Sequence, residues 1–510
     1  MKAKQILKTG FRWACWCFLG VVLLVVARAV YVFRDRVPGY ALDLSIKPAA
    51  NPAPLRVGFA RVNINPDLDY PKRPVWVAGF SQNRAATAIH DDLWAVACVM
   101  DDGQTRVGIV ALDAIGFFHD DVVAVRRGCS AAWDLDYVVV CATHNHSTPD
   151  LMGLWGPSPF RTGVDPIYRK RVIQAAIESL GAAVAGLAPA RLAAHHTAVP
   201  VEGLVADSRQ PLVYDSDLRV LHFTSPQNGT TLGTIVGWGN HPETPWSRNT
   251  EITSDFCGYL RDALQAGVRS DEKVLARGVG GIHLFINGAV GGLMTTSPGV
   301  TVRDPFLQTD HKEPSHGKAR ALGHQLAARV LPLLEQTNAS PTSPLALGVE
   351  ARTLLVPVEN LGYLAASYLG LMDRGYARWR QIRTEVALLT LGEVSFACVP
   401  GEIYPEIVNG GVEAPVGGDF QIDPLEIPPL RQLMPGQVKF VFGLANDEIG
   451  YLVPKSQWDV QPPFTYGREK RPYGEVNSCG PEAAVLVHRH LSELCKRATA
   501  PRNVAVDPGV

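Results

Sequence analysis

Two histidines one residue apart, His144 and His146, sit near the end of residues 137–150, which read YVVVCATHNHSTPD. Neutral imidazole is the commonest side-chain ligand for zinc and a ready proton carrier near neutral pH. Tyr137, Val138, Val139, Val140 and Cys141 are apolar and mostly β-branched, the pattern of a strand buried on both faces. A polar loop with His144, Asn145, His146, Ser147 and Asp150 follows at once. In open α/β folds ligands bind just beyond the carboxyl ends of strands, so this loop stands where chemistry is done. Alone, a His-x-His also suits a loop whose imidazoles bond to backbone. Partners from other strand ends decide the matter.

Such partners recur along the chain. The predicted strand 234–238 runs into Gly239-Asn240-His241-Pro242-Glu243, and 394–399 runs into Pro400-Gly401-Glu402. Strand 439–442 leads to Asn446, Asp447 and Tyr451, and 283–286 leads into NGAVGG. If these ends share one edge, His144, His146, His241 and Glu402 converge. Histidines and a carboxylate around an open position are the pattern of a zinc that activates water. Taken singly, Glu402 reads as a helix N-cap or surface acid and His241 as a turn residue before proline. A metallo-β-lactamase-type site would need Asp two residues after His146, where Thr148 stands. NGAVGG has neither the glycine spacing of a dinucleotide site nor the Lys-Ser/Thr of a phosphate loop. It reads as a tight turn that lets backbones approach closely.

The elements that must position these residues are those of an α/β protein: one large mixed-sheet domain with flanking helices. Strands are predicted at 95–100, 107–112, 137–141, 234–238, 283–286, 394–399 and 439–442, and helices at 166–184, 317–334 and 481–497. His324, His488 and His490 fall in the helices, and His195 and His196 in a strand or turn; all five read as structural. Over 510 residues, 48 basic and 49 acidic side chains nearly cancel. That balance speaks against a nucleic-acid partner, which would require a concentrated basic surface. Nine cysteines without a CxxC spacing make neither a disulfide framework nor a zinc ribbon. Cys141, Cys257 and Cys398 read as small core residues.

Residues 1–36 stand apart. Lys2, Lys4, Lys8 and Arg12 precede an apolar run that, counted through Arg28, approaches the ~20 residues needed to span a bilayer. We read the segment as a single transmembrane helix, uncleaved, with the body of the chain extracytoplasmic, periplasmic or extracellular. A cleavable signal peptide is the alternative, since Ala27-Arg28-Ala29 fits the small-x-small pattern. Residues 37–54, rich in Pro and Ala without periodicity, read as a linker to a domain at 55–510.

Taken in order, the motifs resemble those of the neutral/alkaline, non-lysosomal ceramidase family. ATHNHSTPD resembles its THTHSGPG segment. GWGNHPETPW, followed by Thr253-Ser254-Asp255-Phe256-Cys257-Gly258-Tyr259, is similar to its histidine loop and S-x-D-x-x-GY region. VPGEIYPE is similar to its PGE segment, GLANDEIGYLV to GLxNDYxGYV, and the YGE at Tyr473–Glu475 to a later tyrosine motif. The resemblance covers nearly everything from Leu55 on and leaves no residues for the family's C-terminal β-sandwich. It implies that His144, His241, Glu402 and Tyr451 bind one Zn2+ and that His146 assists catalysis. It further implies that Arg209 contacts the reacting group and that Tyr473, or alternatively Tyr466, supplies a hydroxyl to a substrate amide. The implied activity is zinc-dependent hydrolysis of an N-acyl linkage in a ceramide-like lipid. Water activated by the metal attacks the amide, and His146 carries its proton to the leaving amine. One departure stands out: Met294 occupies the place of a family serine often discussed as catalytic. Another amide, an ester or a lactone is therefore the alternative substrate, and an inactive scaffold the alternative role.

Overall fold

All seven strands expected from the apolar runs are present, each within three residues of its expected bounds. The three helices form as Pro166–Ala185, His316–Leu334 and Glu482–Thr499. Local signals explain where helices begin. Asp165 caps the first by accepting from the Ile167 and Tyr168 amides, with Pro166 in the opening turn. Ser315 caps the second by accepting from the Lys318 amide. The computed structural model describes residues 2–69, 72–336 and 345–500; the remaining residues of the anchor and domain readings, including 501–510, lie outside the described residues.

The strands build three mixed sheets. The first is ordered Tyr137–Ala142, Arg106–Leu112, Trp94–Asp101, Arg56–Asn63, Ala188–Pro189. The second is ordered Ile282–Asn287, Thr231–Trp238, Asp217–Thr224, Arg191–Ala198, and the third Asp43–Ile46, Leu347–Pro357, Gln381–Leu391, Val394–Cys398, Val438–Phe442. All three wrap one core. Val139 and Cys141 from the first sheet meet Ile235 and Ile286 from the second and Ala387 and Phe396 from the third. Helices cover the outer faces. Val172 and Leu180 of Pro166–Ala185 pack on the first sheet, and helices Asp255–Ala266 and His316–Leu334 pack on the second. Glu482–Thr499 covers the third. A strand between core and helix is apolar on both sides, which is why residues 138–140 show no alternation. Each fully buried valine there contributes about 1.5–3 kcal/mol.

Every sheet contains one parallel pair, and these pairs aim their carboxyl ends at one region. Main-chain and amide bonds then stitch the ends together. The Asn287 side-chain amide donates to the Thr143 and Asn240 carbonyls, 2.9 Å each. The Ala142 amide donates to Leu444 O at 3.1 Å, Asn446 to Val140 O at 2.7 Å, and Ala445 to Val399 O at 2.8 Å. The NGAVGG loop makes the close approach expected of it: a Cβ on Gly291 would stand 2.7 Å from the backbone of Ile403 and Tyr404.

One feature departs from expectation at the amino-terminal side. Residues 37–54, read as a linker, include the strand Asp43–Ile46, which adds an edge to the third sheet opposite Val349–Arg352. Four residues paired through main chain need no side-chain period, so no pattern announces them. Arg28 donates to Tyr368 O at 3.1 Å. The helix Lys2–Val32 holds a stretch of 23 residues, Gly10–Val32, whose most apolar 18-residue window has mean hydropathy 2.3, long and apolar enough to cross a membrane. Phe33 just beyond it meets the edges of Tyr376 and Trp379.

Candidate metal centre and active site

His144 sits at φ +67°, a left-handed conformation uncommon for any residue but glycine, at the turn out of its strand. The turn is held by Asn145, whose side-chain oxygen accepts from Ser147 N at 2.8 Å while its amide donates to Thr253 O at 2.8 Å. His144 Nδ1 lies 2.7 Å from Ile115 O, and His241 Nδ1 lies 2.7 Å from Met294 O. A carbonyl can only accept, so both Nδ1 atoms carry hydrogen, and each Nε2 presents a lone pair when its ring is neutral. These lone pairs point at one carboxylate oxygen: Glu402 Oε2 is 3.3 Å from His144 Nε2 and 3.1 Å from His241 Nε2. Two lone pairs facing an anion require a positive charge among them, either an added proton or a cation. All three side chains are buried. The donor set of two imidazoles and a carboxylate, each imidazole fixed by a carbonyl behind it, suits zinc.

Glu402 stands beside Tyr451 because the short strands Glu402–Ile403 and Tyr451–Leu452 pair in parallel register. Burial and the Glu402 carboxylate hold the Tyr451 phenol well above its usual range. Burial opposes charge on Glu402, yet the His144 and His241 imidazoles outweigh it and keep Glu402 well below an ordinary carboxyl. His241 is disfavoured as a cation by burial, but Glu402 more than compensates and lifts it.

His146 behaves differently. Its Nδ1 is 3.0 Å from Glu243 Oε2, and burial brings its pKa down to about 4. Burial would raise Glu243, but the His146 ring beside it brings it down to about 2. At neutral pH the pair is thus a neutral imidazole on a carboxylate. His146 Nε2 is buried with no hydrogen-bond partner among the described residues. Donor atoms of His144, His146 and His241 all lie within 4.8 Å of one another.

Together these groups open into a cavity of about 60 Å3 lined by His144, His146, Glu402, Tyr451, Tyr473, Glu448 and an apolar wall that includes Met152, Trp155 and Met372. Tyr473 stands at the mouth, 54% exposed, its ring edge-on to Tyr451 with centroids 5.8 Å apart. Tyr466 bonds Glu413 at 2.6 Å and does not line the cavity. Arg209 does not line it either. Its guanidinium donates to Glu475 at 2.9 Å and stacks on the Tyr404 ring at 4.5 Å. Tyr404 in turn meets Tyr451, with centroids 6.1 Å apart.

Two residues of this site escaped the sequence reading although both lay inside motifs it quoted. Glu243 follows His241-Pro242 directly. Glu448 lies in NDEIGY, where burial first and the nearby Glu402 next hold its carboxyl well above the usual range. Three-dimensional proximity to the imidazoles is the signal that identifies them, and spacing alone does not carry it.

Met294 proves to be turned away. Its side chain is 1% exposed within the core that also holds Trp238 and Phe256, and only its carbonyl faces His241. Met294→Leu is therefore expected to leave kcat/KM within about threefold and to cost less than ~1.5 kcal/mol of stability; steady-state kinetics and chemical denaturation check both. Gly79 is the opposite case. It adopts φ +108°, and an added Cβ would lie 2.4 Å from the His146 Cβ and Cγ. Gly79→Ala is expected to displace the ring and lower kcat on the order of 100-fold, while metal content stays unchanged.

No family model matches the chain, and no curated protein matches it. Solved structures similar to it include two ceramidases. One is neutral ceramidase from Pseudomonas aeruginosa, with TM-score 0.65 and 15% identity over 88% of this chain and 75% of that one. The other is a ceramidase complexed with C2, with TM-score 0.63 and 15% identity over 87% of this chain and 75% of that one. At this identity the likeness is one of fold, and the fold is that of ceramidase.

Proposed function

We propose that the chain is a zinc-dependent amide hydrolase that cleaves an N-acyl linkage in a ceramide-like or related lipid. The observation that carries this reading is the pair of imidazoles, each backed by a carbonyl, that aim their Nε2 atoms at one buried carboxylate oxygen. We assign His144, His241, Glu402 and Tyr451 as the zinc ligands. A zinc held there would supply a Lewis acid and would acidify water to near-neutral pKa. His146 is neutral and buried, and its Nε2 is placed to take up a proton and return it to the leaving amine. Glu243 fixes the His146 ring and stabilises the imidazolium formed in between. Tyr473, beside Tyr451 at the mouth, offers its hydroxyl to the substrate oxygen as charge develops there. Arg209, paired to Glu475, supports this wall from behind Tyr404.

The apolar wall of Met152, Trp155 and Met372 suits a lipid-like substrate. Residues 1–36 form the membrane anchor, 37–54 join it to the body, and 55–510 form the hydrolase domain on the extracytoplasmic side. A second reading, hydrolysis of another amide, an ester or a lactone, draws on Glu448, a carboxyl in the cavity wall where the ceramidase motif carries tyrosine. Fatty-acid release from N-acyl sphingoid, other N-acyl amides, esters and lactones in detergent micelles tests both. Turnover of acyl amides that disappears in Glu402→Gln supports the first reading. Turnover confined to esters or lactones replaces it with the second, and a metal-free, inactive protein leaves only the fold.

A further inference from the structure

A second set of metal-ligating side chains lies on the surface, and none of its members lines the cavity. We propose that His90, Glu251 and His316 form an outer zinc site, a clamp on the segment that braces the histidine loop. Donor atoms of the three lie within 4.8 Å of one another. His316 Nε2 is 2.7 Å and His90 Nδ1 is 3.8 Å from the same oxygen, Glu251 Oε2. The two imidazoles lie face to face, centroids 3.6 Å apart and planes within 7°.

An ordinary surface ion pair accounts for His316 and Glu251 alone, and such pairs contribute little. It leaves His316 Nδ1 buried without a hydrogen-bond partner among the described residues and a second imidazole stacked against the first. His90 is also oriented from behind, because its Nε2 bonds the Tyr259 hydroxyl at 3.0 Å. When that Nε2 carries the hydrogen, Nδ1 presents a lone pair on the Glu251 side. A ligand imidazole fixed through its other nitrogen is the usual arrangement at zinc sites. Two nitrogens and one carboxylate select a borderline divalent ion such as zinc over calcium or magnesium, which favour oxygen donors. Binding turns the rings out of their stack so that the lone pairs converge. Side-chain exposures of 35% for His90 and 22% for His316 leave room for that turn, and water completes the coordination.

The three backbones are fixed. His90 N donates to Ile252 O at 2.7 Å beside the ladder of Ala88–Ile89 with Glu251–Ile252, and His316 opens the first turn of its helix. The same segment touches the inner site. Asn249 donates to Glu251 O at 2.7 Å and to Ser147 Oγ at 3.0 Å, and Thr253 N donates to Ser147 O at 3.1 Å. A metal on Glu251 therefore ties the His316 helix to the strand that holds the loop of His144 and His146.

Elemental analysis and zinc titration of the full chain in detergent, purified without chelator, test the proposal. The wild type is expected to take up two zinc ions per chain and Glu402→Gln one. His316→Ala and Glu251→Gln are each expected to hold one, keep their activity, and lose the weaker binding phase by at least tenfold. Wild-type protein that takes up a single zinc, retained in both outer variants and lost in Glu402→Gln, overturns the outer site and leaves the inner one standing. Two ions in wild type with neither lost in the outer variants overturns it as well. The inner reading fails separately, by retention of full zinc in Glu402→Gln.

Discussion

Glu402→Gln is expected to lower kcat/KM by at least a thousandfold, remove the inner zinc and leave the fold intact. The sign of its stability effect is the more telling outcome. In metal-free wild type, Glu402 Oε2 faces two imidazole Nε2 atoms at 3.1 and 3.3 Å whose rings commit their Nδ1 hydrogens to carbonyls. A glutamine of the same shape places an amide donor there and satisfies a lone pair without burying charge. Chelator-treated wild type should therefore be less stable than Glu402→Gln, by about 1–3 kcal/mol, while zinc-loaded wild type should be more stable than both. Thermal melts with and without chelator read the order directly. If metal-free wild type is the more stable, the imidazoles hold a proton tightly and the metal reading weakens.

Arg126→Met is expected to cost about 3–5 kcal/mol, because it strands a buried carboxylate. Arg126 donates to both oxygens of the fully buried Glu385, at 2.7 and 2.9 Å, and twice to Val138 O, at 2.7 and 2.9 Å. Tyr137 donates to Glu385 as well, at 2.6 Å, and Asn446 joins the cluster through Arg126 at 3.2 Å. The group binds the first sheet to the third immediately below the site, so the loss should also loosen the loop of His144. Burial favours the neutral form of Glu385, but Arg126 outweighs it and keeps its pKa below an ordinary glutamate. A lowered carboxylate stabilises above its unfolded pKa of ~4.3 and loses that contribution as pH falls through the folded value. The wild-type advantage over Arg126→Met should thus be full at pH 7 and shrink only in acid. Urea denaturation of both proteins from pH 7 to pH 3 measures it, and a difference below 1 kcal/mol at pH 7 would refute the assignment of a dominant buried pair.

The sheets and the ends of their strands were legible because each central strand lies between a core and a helix, and so reads as an unbroken apolar run. Their convergence was legible as a repeated transition from apolar run to histidine or acid. Other features left no trace in one dimension. Glu402–Ile403 and Tyr451–Leu452 are two residues each, too short for any period. Asp43–Ile46 is recruited by an open sheet edge rather than by its own pattern. That three sheets share one core depends on their packing, which residue order does not encode locally. Glu243 and Glu448 gain their properties from what burial brings beside them. His90, Glu251 and His316 are juxtaposed only by tertiary folding.

Position 294 has a further consequence. It serves His241 through a carbonyl, a group that every amino acid carries and no substitution deletes. Its side chain answers to the hydrophobic interior behind the loop. A survey that scored competence for chemistry by residue type at this position would in this chain be sampling the composition of that interior. Variation here is free to follow packing, while the peptide unit goes on holding the ring.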